Sequence, residues 1–193
     1  MTRHLFLILL LINTPITARA ENTQAIFAGG CFWCMESEYQ EVEGVSAVIS
    51  GFSGGATDNP SYKGNHAGHY EAIQVTYDSA VISYSELLTI YWRSIDPFDN
   101  SGQFCDKGPS YRSAIFPANG HERALATKTR DAVRAQFPEK TVYTEILDAS
   151  AFWPVEDGHQ DYYLKNPLRY KYYRWNCGRD QRLAEIWGES DRH

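Results

Sequence analysis

The chain of 193 residues lacks the features of several classes of protein. Positive charge is not in excess, because 18 Lys and Arg residues stand against 24 Asp and Glu residues, for a formal net charge of −6. A basic face that binds nucleic acid is therefore not expected. Internal repeats, low-complexity segments and domain linkers are also absent from the sequence. We therefore expect one domain over residues 21–193, and a monomer.

Acidic residues are absent from the first 20 positions, where Arg3 and Arg19 carry positive charge. The apolar run over residues 5–12 is too short to span a bilayer, and Ala18-Arg19-Ala20 has the small-x-small pattern of a cleavage site. Residues 1–20 are thus predicted to be a signal peptide cleaved near Ala20, with an uncleaved membrane anchor as the alternative. Export leads to an oxidising compartment, and we expect the bacterial periplasm.

Cysteine is scarce, with four residues in the chain. Cys31 and Cys34 form one C-x-x-C pair, whereas Cys105 and Cys177 stand alone, without a second C-x-x-C or a close His partner. A zinc site needs four ligands, so no metal is expected. Two structural disulfides in a secreted module without enzyme activity are an alternative, although a chain of this length can fold without such links.

The most informative stretch is Ala28-Gly29-Gly30-Cys31-Phe32-Trp33-Cys34. It follows a predicted strand and precedes a predicted helix, so the two glycines form a tight turn and Cys31 lies at a helix N-terminus. Unpaired N–H groups and the helix dipole favour a thiolate there, so we expect a lowered pKa and a nucleophilic role for Cys31. Phe32 and Trp33 provide an aromatic wall that suits a small apolar substrate group rather than a metal.

Apolar periodicity predicts an α+β fold. The predicted strands cover residues 24–28, 45–52, 70–77, 111–116 and 141–146, and the predicted helices cover 32–40, 83–94 and 119–137. The order β-α-β-β-α-β over residues 24–116 is that of a ferredoxin-like split βαβ core. Long loops over 53–68 and 96–109 join these elements, and an irregular C-terminal segment ends in a short helix near 179–187.

Five sequence blocks carry a family resemblance. Gly30-Cys31-Phe32-Trp33 is similar to the active-site signature of the A-class peptide methionine sulfoxide reductases, and four more blocks follow in that family's order and spacing. These blocks are Asn59-Pro60-Ser61-Tyr62, Gly68-His69-Tyr70-Glu71, Asp106-Lys107-Gly108-Pro109-Ser110-Tyr111-Arg112-Ser113 and His159-Gln160-Asp161-Tyr162. The resemblance spans roughly residues 24–188. It implies reduction of methionine S-sulfoxide, free or in oxidised proteins and peptides, without a cofactor but with an external thioredoxin-like dithiol.

The residues in these blocks suit that chemistry. A sulfoxide oxygen leaves only when an acid protonates it, and Glu71 is the candidate, since burial at the start of a strand raises a carboxyl pKa. Tyr62 and Tyr111 are candidate hydroxyl donors to the same oxygen, and Asp106 is expected to hold the site through a hydrogen bond or a bridging water. Phe32 and Trp33 are expected to cradle the S-methyl group.

Attack by Cys31 leaves a sulfenic acid, which a second thiol converts to a disulfide. Better-known members of the family carry this resolving cysteine soon after an Asn-Pro near the C-terminus, but Asn166-Pro167 is followed here by Leu168-Arg169-Tyr170-Lys171. Cys177 is the nearest cysteine beyond that point and is the first choice for the resolving residue. Cys34 is the second choice and Cys105 the third.

A thioredoxin-like disulfide oxidoreductase that uses Cys31-Phe32-Trp33-Cys34 is the alternative function, because a C-x-x-C pair follows a strand. That fold has a cis-proline loop and a different order of elements, and neither is evident in this sequence.

Overall fold

A computed structural model describes residues 22–188, so the predicted signal peptide over residues 1–20 lies outside the described residues. Strands and helices follow one another in an order close to that predicted. They are β1 (Asn22–Gly29), α1 (Phe32–Tyr39), β2 (Val45–Ser53), β3 (Tyr70–Asp78), α2 (Tyr84–Arg93), β4 (Gly102–Gln103), β5 (Asp106–Lys107), β6 (Ser113–Phe116), α3 (Gly120–Gln136), β7 (Glu145–Ile146), β8 (Trp153–Pro154), α4 (Tyr162–Lys165), α5 (Pro167–Asn176) and α6 (Arg179–Trp187).

The main sheet has the strand order β7-β6-β1-β3-β2-β8. Its four central strands, β6, β1, β3 and β2, pair antiparallel, and with α1 and α2 they form the split βαβ core that the sequence predicted. At the edges, β7 adds parallel to β6 and β8 adds antiparallel to β2. The α+β class is therefore confirmed.

The core between the sheet and the helices is rich in aromatic side chains. Phe27 on β1 is fully buried, and its ring packs against Tyr39 of α1 and against Tyr84 and Tyr91 of α2, with centroids 5.3–6.0 Å apart. Burying each such side chain stabilises the fold by roughly 1.5–3 kcal/mol. The start of α2 is set by its own sequence. The Ser83 side chain accepts a hydrogen bond from the Glu86 N–H, and the Glu86 carboxylate accepts one from the Ser83 N–H.

The prediction of an irregular C-terminal segment is wrong, because α4 and α5 precede the predicted short helix, which is α6. Pro167 starts α5 at a position where its missing N–H costs nothing, and Gly178, with φ of +65°, separates α5 from α6. The apolar period of α5 is blurred, since Leu168, Tyr172 and Trp175 face solvent while Tyr170 is buried. A pattern of this kind hides a helix from periodicity analysis.

Two predicted strands are shorter than expected. The strand predicted over 111–116 is β6, which starts at Ser113 after a short 3-10 turn, and that predicted over 141–146 contains only β7. The N–H of Tyr143 donates instead to the carbonyl of Pro97, 2.8 Å away, outside the sheet. Within residues 22–188, no helix has both the length and the apolar character needed to cross a membrane.

Candidate active site

The turn that carries Cys31 forms as the sequence predicted. β1 ends at Gly29, Cys31 is the residue before α1, and its carbonyl accepts hydrogen bonds from the N–H groups of Cys34 and Met35. Gly30 has φ of +82°, and a Cβ at this position would lie 2.5 Å from the Cβ of Gln103. Only glycine fits this turn, because it accepts a positive φ and leaves room for the side chain of Gln103.

A cavity of about 60 Å³ opens beside the Cys31 thiol. Its walls are Cys31, Phe32, Trp33, Tyr62, Glu71, Asp106, Tyr111 and Tyr173. Its volume is several times the roughly 10–15 Å³ that is needed to hold one water molecule, so it accepts a group of a few atoms. A wider cleft of about 630 Å³ has no cysteine among its lining residues, so the small cavity is the candidate active site.

The cavity therefore brings together seven of the eight residues that the sequence singled out. Cys177 is the exception, since it does not line the cavity, and Tyr173 is a wall residue that the sequence analysis missed. The roles assigned to these residues remain predictions. What the structure establishes is that segments from four distant parts of the chain meet at one thiol.

Glu71 has the properties of an acid. Its side chain is 2% exposed, and its Oε2 accepts a hydrogen bond from the Phe32 N–H at 3.1 Å. Burial raises its pKa to about 8, with the nearby negative charge of Asp106 adding to the increase. At neutral pH the carboxyl group is therefore mostly protonated and able to donate a proton within the cavity.

Tyr62 and Tyr111 are hydroxyl donors on the same cavity. Burial raises the pKa of each, and the negative charge of Glu71 adds to the effect, so both hydroxyls keep their protons over the physiological range. Tyr111 also hydrogen-bonds to the Glu71 side chain. An oxygen atom in the cavity would thus meet an acid and two neutral donors.

The expected lowering of the Cys31 pKa is wrong for the substrate-free protein. Burial raises the pKa of the Cys31 thiol, and the hydrogen bond with Cys34 and the charge of Glu71 raise it further. The thiol is only 5% exposed, and removing a thiolate from water costs more than the helix N-terminus returns. The hydrogen bond from Cys31 instead lowers the pKa of Cys34 to about 7, with further lowering by the charges of Arg179 and Arg174.

The aromatic wall is held rigidly from behind. Trp33 stacks on Tyr162 with a centroid separation of 3.7 Å, and Tyr62 packs against His159 at 4.0 Å. Burial lowers the pKa of His159, so its ring is neutral at physiological pH and acts as a further flat surface, 5.6 Å from Trp33. This support fixes the Trp33 ring, so a methyl group in the cavity would meet a preformed apolar face.

Helix α5 supplies polar groups that the sequence analysis did not find. Tyr170 and Tyr173 lie three residues apart on α5, and they hydrogen-bond to Cys34 and Cys31, respectively. Arg174 follows at the next position and forms ion pairs with Glu38 and Asp180. The spacing i, i+3, i+4 puts all three on one helix face, a signal that becomes visible only once α5 is recognised as a helix.

Cys105 and Cys177 form a disulfide, whereas Cys31 and Cys34 are free thiols. The alternative of two structural disulfides is therefore wrong, and Cys105 and Cys177 cannot serve as zinc ligands while they are bonded to each other. Cys105 is exposed and Cys177 is half-buried, so this bond lies at the surface beside Asp106. The resolving role of Cys177 remains a prediction, and it requires that this disulfide be opened first.

The site combines a free thiol at a strand-helix turn with a protonated carboxyl group in a small aromatic cavity. This combination defines a thiol-based oxidoreductase. Its substrate would carry a small polar group next to an apolar substituent. The family model described as peptide methionine sulfoxide reductase matches residues 23–191. The chain is 46% identical to peptide methionine sulfoxide reductase MsrA 2 of Caulobacter vibrioides, and the match covers 91% of each chain.

The chain is also 46% identical to MsrA/MsrB of Vibrio cholerae, over 91% of this chain and 48% of that relative. The solved structure of methionine sulfoxide reductase A of Corynebacterium diphtheriae matches with a TM-score of 0.67 and 31% identity, over 76% of each chain. The chain therefore belongs to the peptide methionine sulfoxide reductase family. This membership, together with the antiparallel ferredoxin-like core, shows that the thioredoxin-like alternative is wrong.

Proposed function

We propose that this protein reduces methionine S-sulfoxide, in oxidised proteins and peptides and as the free amino acid, to methionine. The observation that carries the proposal is the cavity in which the Cys31 thiol faces Glu71, whose pKa of about 8 keeps it protonated at neutral pH. The S-methyl group would lie against Phe32 and Trp33. The sulfoxide oxygen would point to Glu71, with the hydroxyls of Tyr62 and Tyr111 as further donors.

The reaction consumes one thiol. The Cys31 thiolate attacks the sulfoxide sulfur, and Glu71 donates its proton to the oxygen as the new S–S bond forms. The hydroxyl group then moves from the substrate sulfur to the Cys31 sulfur, as the substrate S–O bond and the transient S–S bond break and a new S–O bond forms on Cys31. Methionine leaves with two electrons more than the sulfoxide had, and Cys31 is left as a sulfenic acid. Asp106 keeps the tyrosine side of the cavity in place through its hydrogen bond to Tyr173.

A second thiol must then remove the hydroxyl group as water. Cys177 is the choice from sequence, but Cys34 has stronger support, because its thiol hydrogen-bonds to Cys31 and has a pKa of about 7. The lowered pKa favours the thiolate of Cys34, and the thiolate is the attacking form. A dithiol would reduce the resulting disulfide by exchange, and we propose a thioredoxin-like protein for this role.

Cellular placement is also a proposal. The predicted signal peptide supports export to the periplasm, and the Cys105–Cys177 disulfide suits an oxidising compartment. The function there would be repair of oxidised proteins by a monomeric enzyme.

The substrate proposal is tested with the two epimers of a methionine sulfoxide peptide and dithiothreitol as reductant. We expect methionine to form from one epimer only, because the cavity offers its apolar wall and its acid in one fixed arrangement, and the family resemblance implies that this is the S epimer. Equal consumption of both epimers would overturn the stereochemical assignment. No consumption of either would overturn the function.

The resolving residue is tested by peptide mapping after one turnover under non-reducing conditions. We expect a Cys31–Cys34 crosslink with the Cys105–Cys177 bond still in place, and the Cys34→Ser variant should still release one methionine per enzyme while the sulfenic acid accumulates. The matched variant Cys177→Ser should still form the Cys31–Cys34 crosslink. A Cys31–Cys177 or Cys31–Cys105 crosslink would instead assign the role to that residue.

A further inference from the structure

The hydroxyl group of Tyr173 lies between two groups of the active site. On one side it donates a hydrogen bond to Oδ2 of Asp106, and on the other side it is a hydrogen-bond partner of the Cys31 thiol. All three residues line the same cavity, and the Tyr173 ring packs edge-on against Trp33 at a centroid distance of 5.9 Å. Because Tyr173 gives its own proton to Asp106, its oxygen can accept the proton of Cys31, for which Cys34 is the competing acceptor.

This arrangement addresses the cost of ionising a buried thiol. Cys31 is 5% exposed, so creating a new negative charge on its sulfur is unfavourable. Moving a negative charge that the cavity already holds is less costly, because the total charge of the site does not change. Asp106 holds such a charge, and burial raises its pKa from the ordinary value, which makes it a better proton acceptor.

We propose that Tyr173 is a catalytic residue that relays the proton of the Cys31 thiol to the Asp106 carboxylate, a role that rests on the proposed function for its purpose. The S–H bond of Cys31 breaks as its proton moves to the Tyr173 oxygen, and the original Tyr173 proton moves to Oδ2 of Asp106. The site starts with a thiol and a carboxylate and ends with a thiolate and a carboxylic acid. No proton leaves the cavity, and no oxidant or reductant is needed.

The relay complements the acid on the other side of the substrate. Glu71 would supply the proton for the sulfoxide oxygen, while Asp106 would take the proton from the nucleophile. After the chemical step Glu71 is ionised and Asp106 is protonated, so a proton returned from Asp106 to Glu71 restores the starting state.

The fold ties the two ends of this relay together. Cys105 is the residue before Asp106, and Cys177 follows Tyr173 by one helical turn, so the Cys105–Cys177 disulfide joins the two segments that carry the relay. The titratable groups that face it also come from other elements. Cys34, Glu71, Tyr62 and Tyr111 act on Cys31 or Tyr173, and Arg179 and Lys107 act on Asp106.

The test measures the rate of alkylation of Cys31 by iodoacetamide against pH, in the Cys34→Ser background without any sulfoxide. Cys31 is then the remaining free thiol, since the other two cysteines are bonded to each other. A thiol and a carboxylate that share one proton titrate in two steps. Because burial raises the pKa of Cys31, most of its thiolate forms in alkali. We therefore expect a small first rise in acid to a low plateau around neutrality and a large second rise in alkali, with Glu71 affecting the profile only near pH 8.

Three variants in this background decide the matter. In Tyr173→Phe the neutral plateau should fall by about 10-fold to 100-fold, the factor that a hydrogen bond to a charged group contributes, while the ring stays packed on Trp33. In Asp106→Asn the acid step should vanish. Tyr172→Phe is the matched control on the same helix, because Tyr172 is 66% exposed, and its profile should be unchanged.

A single alkaline step in the Cys34→Ser background would overturn the relay, because Cys31 would then titrate without sharing a proton with Asp106. A Tyr173→Phe profile equal to that of the background would also overturn it. Because no substrate is present, these outcomes do not depend on whether the protein reduces methionine sulfoxide, which the epimer assay tests separately.

Discussion

The Cys31→Ser variant is expected to lose essentially all reduction of methionine sulfoxide while it keeps its fold. Serine fits the volume of the buried cysteine, but its hydroxyl is not ionised near neutral pH and cannot accept the sulfoxide oxygen as a sulfenic acid. The measurement is methionine released per enzyme in a single turnover, without reductant and with peptide in excess over enzyme. Thermal unfolding, followed by circular dichroism, verifies that the fold is retained.

Cys34→Ser is the matched control, since it removes the other free thiol of the same turn. It should release one methionine per enzyme, because attack on the sulfoxide needs only Cys31. Turnover by Cys31→Ser at a rate near that of the wild type would contradict the nucleophile assignment, and with it the chemistry proposed for the cavity.

The Glu71→Gln variant is expected to slow single-turnover reduction by about 100-fold or more, the usual contribution of a positioned general acid. Glutamine can still accept the hydrogen bond from the Phe32 N–H, but it has no proton of suitable acidity for the sulfoxide oxygen. Tyr62→Phe and Tyr111→Phe should each cost less, because the two hydroxyls share one role.

The pH dependence of the wild type separates an acid from a structural carboxyl group. Glu71 must be protonated to act, so the single-turnover rate should be high below its pKa of about 8 and should fall as the pH rises through that value. In Glu71→Gln this decrease near pH 8 should be absent. Glu36→Gln is the matched control, because Glu36 is a buried carboxyl group outside the cavity, with a pKa raised by burial to about 6, and its replacement should leave the decrease near pH 8 in place.

The same shift has a consequence for stability. The folded-state pKa of Glu71 lies above the ordinary value of 4.5, so the folded protein holds this proton more tightly than the unfolded chain does. The contribution of Glu71 to the free energy of unfolding is therefore full below pH 4.5 and declines as the pH rises toward 8. Thermal unfolding of Glu71→Gln should lack this component of the decline. If Glu71→Gln reduced the sulfoxide as fast as the wild type, both below and above pH 8, the acid would have to be another group.

Local features of the sequence were sufficient for the turn that carries the nucleophile and for the core of the fold. Gly29 and Gly30 between an apolar strand and an amphipathic helix predict a tight turn, because few other residues tolerate that backbone. The alternating apolar residues of β3 and the capping box of α2 are likewise contacts between near neighbours in the chain. Such short-range preferences are readable without the fold, and the five motif blocks then indicate which cavity the core would hold.

Only the tertiary structure decided the electrostatics of the site and the role of the C-terminal helices. The pKa of Cys31 was expected to be low because the residue lies at a helix N-terminus, yet burial by side chains from distant segments raises it. The thiol with the lowered pKa is instead that of Cys34. Tyr173 approaches Cys31 from 142 positions further along the chain, and Cys177 is bonded to Cys105 across 72 positions. Desolvation and long-range contacts depend on which surfaces meet in the folded chain, and local sequence patterns carry no record of them.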